Sequence, residues 1–346
     1  MKKISVVIVC LLLGCTFFGL RKDVTLTGDK IEDASKGFCT YGTNDLVSLP
    51  YRTNALYYHD HEPWLRDIWQ ITDKIDYIMV ADIRTEPRMR NDYNKSAELQ
   101  NSLKFFAKPL DIQKDIYKVK LEDQKFLITR LIESAGRERV WEIGNEPNLL
   151  PYIPPKSAAY LYCIYYKFIK SVDPTAKVMN GGLFVMEAMP DIFKAFKIVL
   201  PEEYVYSTVE YYRIYLEEIK RLGCKVDIAS IHIYPFMMSM SNRLKESLLE
   251  IRSLLDTHGV KEIWVTETGN INPLLPEKLL LSGTSDLLDF YIHNTVGITR
   301  WYWFKIEGTD LNFERAGLPG PVTGLTEEGK LSKLGELYIK KYEESK

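Results

Sequence analysis

From about residue 38 onward the chain alternates between short apolar runs and longer stretches whose apolar residues recur at helical spacing. This alternation constrains the fold more than any other feature, because parallel strands are joined only by long crossovers and the crossover is usually a helix. The stretch 121–136 carries Leu127, Ile128, Leu131, Ile132 and Ala135 on one helical face, ends on Gly136 and leads into an apolar run over 140–143. Pro154 and Pro155 open the next helix, with a stripe of Leu161, Tyr165, Phe168 and Val172. It must stop at Asp173-Pro174, since a residue before proline disfavours the helical region, and a strand over 177–180 follows. The cycle then repeats: helix 211–222 with strand 226–234, helix 244–256 with strand 262–268, and helix 285–293 with strand 298–305. A helix over 331–342 closes the chain.

The N-terminal third reads less clearly. A helix over 64–75 precedes a strand over 76–83, and 37–42 and 103–107 are the poorer strand candidates that bring the total to eight. Eight strands with interleaved helices predict a single (β/α)8 TIM barrel, α/β in class, over residues 37–346. An open doubly wound sheet would show a Gly-rich nucleotide loop after its first strand, and this sequence has none. No shift in composition marks a second domain, and 346 residues fall within the ~200–400 range of one such barrel.

Charge excludes other classes. Lys plus Arg total 45 against 47 Asp plus Glu, whereas a nucleic-acid binder carries a basic excess, so no nucleic-acid partner is expected. An aromatic content of 12% also argues against a disordered chain. At the N-terminus, Lys2 and Lys3 precede an apolar stretch over 4–13, then Gly14 and Cys15. The apolar stretch is about half the ~20 residues a membrane-spanning helix needs, so it reads as an export signal over 1–14. Leu12-Leu13-Gly14-Cys15 resembles the bacterial lipobox, which implies cleavage before Cys15, lipidation of its thiol and a tether over 15–36. Thr16, in place of the Asp associated with inner-membrane retention, implies outer-membrane delivery by the same resemblance. A soluble secreted protein is the alternative. Cys39, Cys163 and Cys224 are read as small buried hydrophobes, with one disulfide as the alternative. Without a CxxC pair, structural zinc is unsupported.

Two carboxylates stand at strand ends. Along Trp141-Glu142-Ile143-Gly144-Asn145-Glu146-Pro147, alternation puts Glu142, Gly144 and Glu146 on one face, with Glu146 last. Along Ile263-Trp264-Val265-Thr266-Glu267, the same rule groups Ile263, Val265 and Glu267. The carboxyl ends of barrel strands form the active-site mouth, and two carboxylates facing each other there meet the needs of glycoside hydrolysis: a protonated acid for the leaving oxygen and an ionised nucleophile or base. Glu142, pointing inward below Glu146, should pair with an Arg or a hydroxyl as support.

The set Asn145-Glu146-Pro147, His232-x-Tyr234, Thr266-Glu267 and Trp303 resembles the retaining glycosidases of glycoside hydrolase clan A. The stretches 173–178 and 227–235 are similar to connecting text in families 5 and 39 of that clan, and 323–329 to a family 39 type of last loop. The resemblance covers about 120–340. It implies Glu146 as acid/base, Glu267 as nucleophile, Asn145 as donor to the hydroxyl beside the reacting carbon, Tyr234 as hydrogen-bond partner of Glu267, and His232 as holder of the acid/base or the sugar. A phenol donor should lower the pKa of Glu267. Arg84 matches the clan's early arginine near the nucleophile, and Trp303, sharing a face with Trp301 and Lys305, would stack on the sugar. The His59-x-His61 loop invites a metal reading, but Pro63 marks it as a helix entry, and the aromatics and histidines of the loop would border the substrate cleft. Glu307, past the last strand, is a weaker site candidate. No metal or organic cofactor is implied, and the expected partner is a carbohydrate substrate. The rival reading is an inactive barrel that binds a glycan or a protein at the cell surface.

Overall fold

The computed structural model describes residues 38–40, 53–57, 75–80, 138–148, 153–185, 206–235, 240–269, 276–303, 324–327 and 330–346, with isolated positions between 125 and 133. Eight strands form one sheet: β1 (Phe38–Thr40), β2 (Thr53–Tyr57), β3 (Ile75–Val80), β4 (Val140–Asn145), β5 (Lys177–Val185), β6 (Ala229–Ile233), β7 (Ile263–Thr268) and β8 (Ile298–Trp303). Every ladder in it is parallel. Each strand pairs with its successor from β2 to β8, and β1 pairs with β8. β1 and β2 are thus the two ends of the sheet, and a β1–β2 ladder is not among the described pairs.

The sheet curls on itself. Tyr77 of β3 meets Tyr302 of β8 edge-on at 5.1 Å and Trp264 of β7 at 6.2 Å, although these strands are not neighbours in the sheet. With Met79, Met179 and Ile228 they fill a small inner cluster. Ile78, Trp141, Ile143, Ile231, Val265 and Trp301 belong to the much larger cluster shared with the helices, so successive side chains divide between two layers as strand geometry requires.

Among the described residues, five helices cover the outer layer: α1 (Pro155–Val172), α2 (Thr208–Arg221), α3 (Asn242–Thr257), α4 (Glu277–Ile292) and α5 (Lys333–Glu344). Their starts follow from local chemistry. Ser207, Ser241 and Ser332 each accept a backbone N–H of the first turn of α2, α3 and α5, whereas α1 begins with proline at its first position. Asp173 ends α1, and its carboxylate accepts Thr175 N–H at 3.1 Å and Glu138 N–H at 2.9 Å, which ties the turn to the chain entering β4. A short antiparallel pair, β9 (Thr326–Glu327) and β10 (Lys330–Leu331), precedes α5.

Three expectations need correction. The stretch 53–57, not foreseen as a strand, supplies β2, and β3 pairs directly with β4. The strand foreseen at 103–107 lies outside the described residues. Cys163 and Cys224 are joined in a disulfide between α1 and the approach to β6, so they are not free thiols; the buried position foreseen for them holds as well. Finally, Ile263 and Val265 face the helices while Trp264 lies in the inner cluster, so Glu267 does not reach the mouth by simple alternation.

Candidate active site

A bulge turns Glu267 inward. Thr266 Oγ1 donates at 2.9 Å to the inward-pointing Glu142, and Thr268 Oγ1 bonds the outward Tyr291 hydroxyl of α4 at 2.8 Å. Between them the β7–β8 register shifts from Val265 to Thr268, and the β6–β7 register shifts between Ile231 and His232. The extra residue lets Thr266 and Glu267 both point into the sheet interior, a usual function of bulges beside active sites.

Glu146 arrives differently. It follows β4 with φ 43°, in the left-handed region that costs a non-glycine residue roughly 1–2 kcal/mol, after Gly144 at φ 92°. The turn is pinned: Glu146 N–H donates to Gly182 O at 3.1 Å. Two residues on, the Asn148 amide both accepts Phe184 N–H at 2.9 Å and donates to Phe184 O at 2.8 Å. Asn148 thereby continues the ladder between β4 and β5 with a side chain in place of backbone.

On β6, His232 points into the interior, while Ile231 and Ile233 join the helix-side cluster; Tyr234, just past the strand, packs its ring in that cluster and sends its hydroxyl to Glu267. His232 Nδ1 lies 2.9 Å from Glu146 Oε1 and 3.5 Å from Glu267 Oε2. The Tyr234 hydroxyl donates to Glu267 Oε2 at 3.0 Å, and its ring stacks on Phe184 at 5.7 Å. Glu146, His232 and Glu267 each offer one atom to a group whose members all lie within 4.8 Å of one another.

Burial would lower the pKa of His232, but Glu267, Glu146 and Glu142 outweigh it and raise the imidazole to about 9. An imidazolium has no lone pair for a metal, so a cation could enter this group only by displacing that proton. Burial, with the Glu146 and Glu142 charges, pushes Glu267 up to about 7 against the lowering influence of His232 and of the Tyr234 hydroxyl. The phenol acts in the direction foreseen from sequence; burial is larger, so the net direction is the opposite.

Of the residues foreseen from sequence, the structure brings together Glu146, Glu267, His232 and Tyr234, with Asn145 half-buried beside Glu146 as the last residue of β4. It does not bring Trp303 to them. Trp303 shares its outward face with Trp301, is 1% exposed, and sets its ring edge-on to Tyr338 of α5 at 5.9 Å. Arg84, Cys15, His59, His61 and Glu307 lie outside the described residues. Sequence reading missed Gly182, where a Cβ would overlap the His232 ring, and Asn148. A signal for the first was present in the pair Gly181-Gly182 inside an otherwise apolar run, since glycine within a strand often marks a close approach.

With two carboxylates, a bridging imidazole and a phenol at the carboxyl ends of β4, β6 and β7, residues 145–338 match the family model described as glycosyl hydrolase catalytic core, more than half of the chain. The chain belongs to the glycosyl hydrolase catalytic core family. By family it is a glycoside hydrolase. Solved structures similar to it include a curdlan-specific exo-β-1,3-glucanase from Blastomyces gilchristii, at 15% identity over 88% of this chain and 99% of that one, TM-score 0.48. An endo-β-1,3-glucanase from Sorangium cellulosum is similar at 14% identity over 83% and 97%, TM-score 0.46. The catalytic core of a xylanase A is similar at 9% over 87% and 100%, TM-score 0.48. Among curated proteins, a 138-residue stretch is 30% identical to the protein translocase subunit SecA of Acidiphilium cryptum, covering 39% of this chain and only 15% of that protein's length.

Proposed function

We propose that this glycosyl hydrolase core cleaves β-linked glycosides with retention of configuration, through a covalent glycosyl-enzyme, in a closed (β/α)8 barrel over residues 37–346. Clan A, family 39 or 5, is the affiliation that goes with this reading. The observation that carries it is the spacing of the site: carboxyl oxygens of Glu146 and Glu267 lie within 4.8 Å of each other. Retaining pairs stand ~5–5.5 Å apart, whereas inverting pairs need ~6.5–9.5 Å to seat a water between carboxylate and sugar.

In the first step Glu267 attacks the anomeric carbon while Glu146 gives its proton to the leaving oxygen. The glycosidic bond breaks and an ester to Glu267 forms. In the second step Glu146 takes a proton from water, and the water oxygen displaces Glu267. Negative charge thus passes from Glu267 to Glu146 and back. His232 sits 3.5 Å from one and 2.9 Å from the other, so its imidazolium stays paired with whichever carboxylate is ionised. Asn145, next to Glu146, would donate to the hydroxyl beside the reacting carbon, and Arg84 would support Glu267. Lipidation at Cys15 would hold the protein to the outer membrane. The Cys163–Cys224 disulfide favours export, since such bonds persist in oxidising compartments.

A 2-deoxy-2-fluoro β-glycoside with an activated leaving group tests the mechanism. Its expected result is a stable one-to-one adduct in the intact-protein mass, with the sugar on the peptide that carries Glu267. A chain that hydrolyses β-glycosides but releases inverted product and forms no adduct contradicts it.

A further inference from the structure

Beneath Glu146, His232 and Glu267 lies a third carboxylate that the two-step reaction does not use. Glu142 is completely buried, as are Ser230 and Thr266 beside it. Its Oε1 accepts Gly182 N–H at 3.0 Å, Thr266 Oγ1 at 2.9 Å and the Ser230 hydroxyl. The Ser230 and Thr266 oxygens stand 2.6 Å apart, so their two protons are shared among three short contacts, to Glu142 and to each other. Each of these partners adjoins a member of the site. Ser230 stands two residues before His232 on β6, and Thr266 immediately precedes Glu267 at the bulge of β7. Gly182 on β5 accepts Glu146 N–H on its carbonyl, and its missing Cβ leaves the space that the His232 ring fills. One oxygen from β4 therefore tethers β5, β6 and β7.

A carboxyl group this deep is expensive. The second oxygen, Oε2, is buried and has no hydrogen-bond partner among the described residues, and burial raises the group's pKa. An apolar side chain of similar volume is often neutral or stabilising where a buried ionisable group stands, so stability alone is a poor reason for this one. What it alone provides is a single acceptor shared by three strands.

We infer that Glu142 is a positioning residue, which fixes the separation of Glu146 from Glu267 and the seat of the His232 ring through Gly182, Ser230 and Thr266, without touching substrate. This rests on the glycosidase reading above.

Glu142→Leu and Glu142→Gln, assayed with wild type on an aryl β-glycoside that the wild type turns over, test it. Leucine removes the acceptor and glutamine retains it. Displacement of reacting groups by about 1 Å costs roughly 10²-fold, so Glu142→Leu should lose about 10²-fold in kcat with KM nearly unchanged, and Glu142→Gln should recover most of it. Should Glu142→Leu fail to fold, Thr266→Val removes one donor at constant shape and should lower kcat about tenfold at unchanged KM. Unchanged kcat in Glu142→Leu, a loss that glutamine does not restore, or wild-type kcat in Thr266→Val would each overturn the inference. Imidazole nitrogen NMR on the five histidines separates this from failure of the glycosidase reading. If wild type hydrolyses no glycoside, that reading fails alone. Both variants remove the Glu142 charge that acts on His232, so the tether then stands if the His232 signals move more in Glu142→Leu than in Glu142→Gln, and falls if they move equally in both or in neither.

Discussion

At Glu267 burial and the Tyr234 hydroxyl pull in opposite directions, and burial wins. On the proposed mechanism Glu267 must be ionised to attack, so kcat/KM should rise with pH through about 7, the value to which Glu267 is raised. Tyr234→Phe removes a donor that favours the charged form, so this limb of the pH profile should move to higher pH; a limb that stays or moves down would show that the phenol does not stabilise the carboxylate. The linked effect on stability has the opposite sign. A group whose folded-state pKa lies above its unfolded one stabilises fully below the unfolded value and less as pH climbs through the folded value. The contribution of Glu267 is therefore lost between about 4.5 and about 7, and that of His232 between about 6.5 and about 9. The pH that activates the site loosens it. At this scale the sequence showed the residue types well, because Asn145-Glu146-Pro147 and His232-x-Tyr234 stand at strand ends whose alternation is regular. It could not show that Thr266 and Glu267 both point inward, since a bulge inserts one residue without altering the pattern of apolar letters.

Among the elements, the disulfide links α1 to the chain entering β6, across 61 residues of sequence. Cross-linking that far restricts the unfolded chain, and removing such a bond typically costs 2–5 kcal/mol. Cys163→Ala with Cys224→Ala should lower Tm by several degrees in thermal denaturation while leaving the fold of the site intact, so KM should hold; an unchanged Tm would mean the bond is not made in the protein. Neither cysteine announced this pairing, because both also fit apolar helical and strand-edge positions and nothing local marks which distant residue each will meet. Helices α1, α2, α3 and α5 were legible within a few residues, owing to proline at the start of α1 and serine caps on the others, whereas α4, which has no side-chain cap, begins eight residues before the expected 285. In the first third the signals were weaker: Thr53–Tyr57 is a strand with little apolar run. Trp303 shows the same limit. Alternation groups it with Trp301 on one face, as the structure does, but which face that is depends on the helix packed against it, here α5 through Tyr338.

For the whole molecule, the sheet order joins the first strand to the last, and the two carboxylates come from β4 and β7, separated by more than a hundred residues of chain. Curvature of the sheet brings them together, and the inner layer of Tyr77, Trp264 and Tyr302 supports the floor beneath them. The proposed anchoring can be checked independently of catalysis. In cells given a labelled fatty acid, the wild-type chain should incorporate label and shorten by its first 14 residues, whereas Cys15→Ser should do neither. Equal labelling of both proteins would place the lipid elsewhere or nowhere.

The central claim is that Glu267 attacks the sugar and Glu146 moves the proton. Its most direct measurement is the anomeric configuration of the azide product formed by Glu267→Ala on an aryl β-glycoside. With the carboxylate gone, turnover should fall to a trace, and azide occupying its place should restore it and give the inverted α-glycosyl azide. A β-glycosyl azide from Glu267→Ala, or an α-product from Glu146→Ala instead, would contradict the assignment of the two roles.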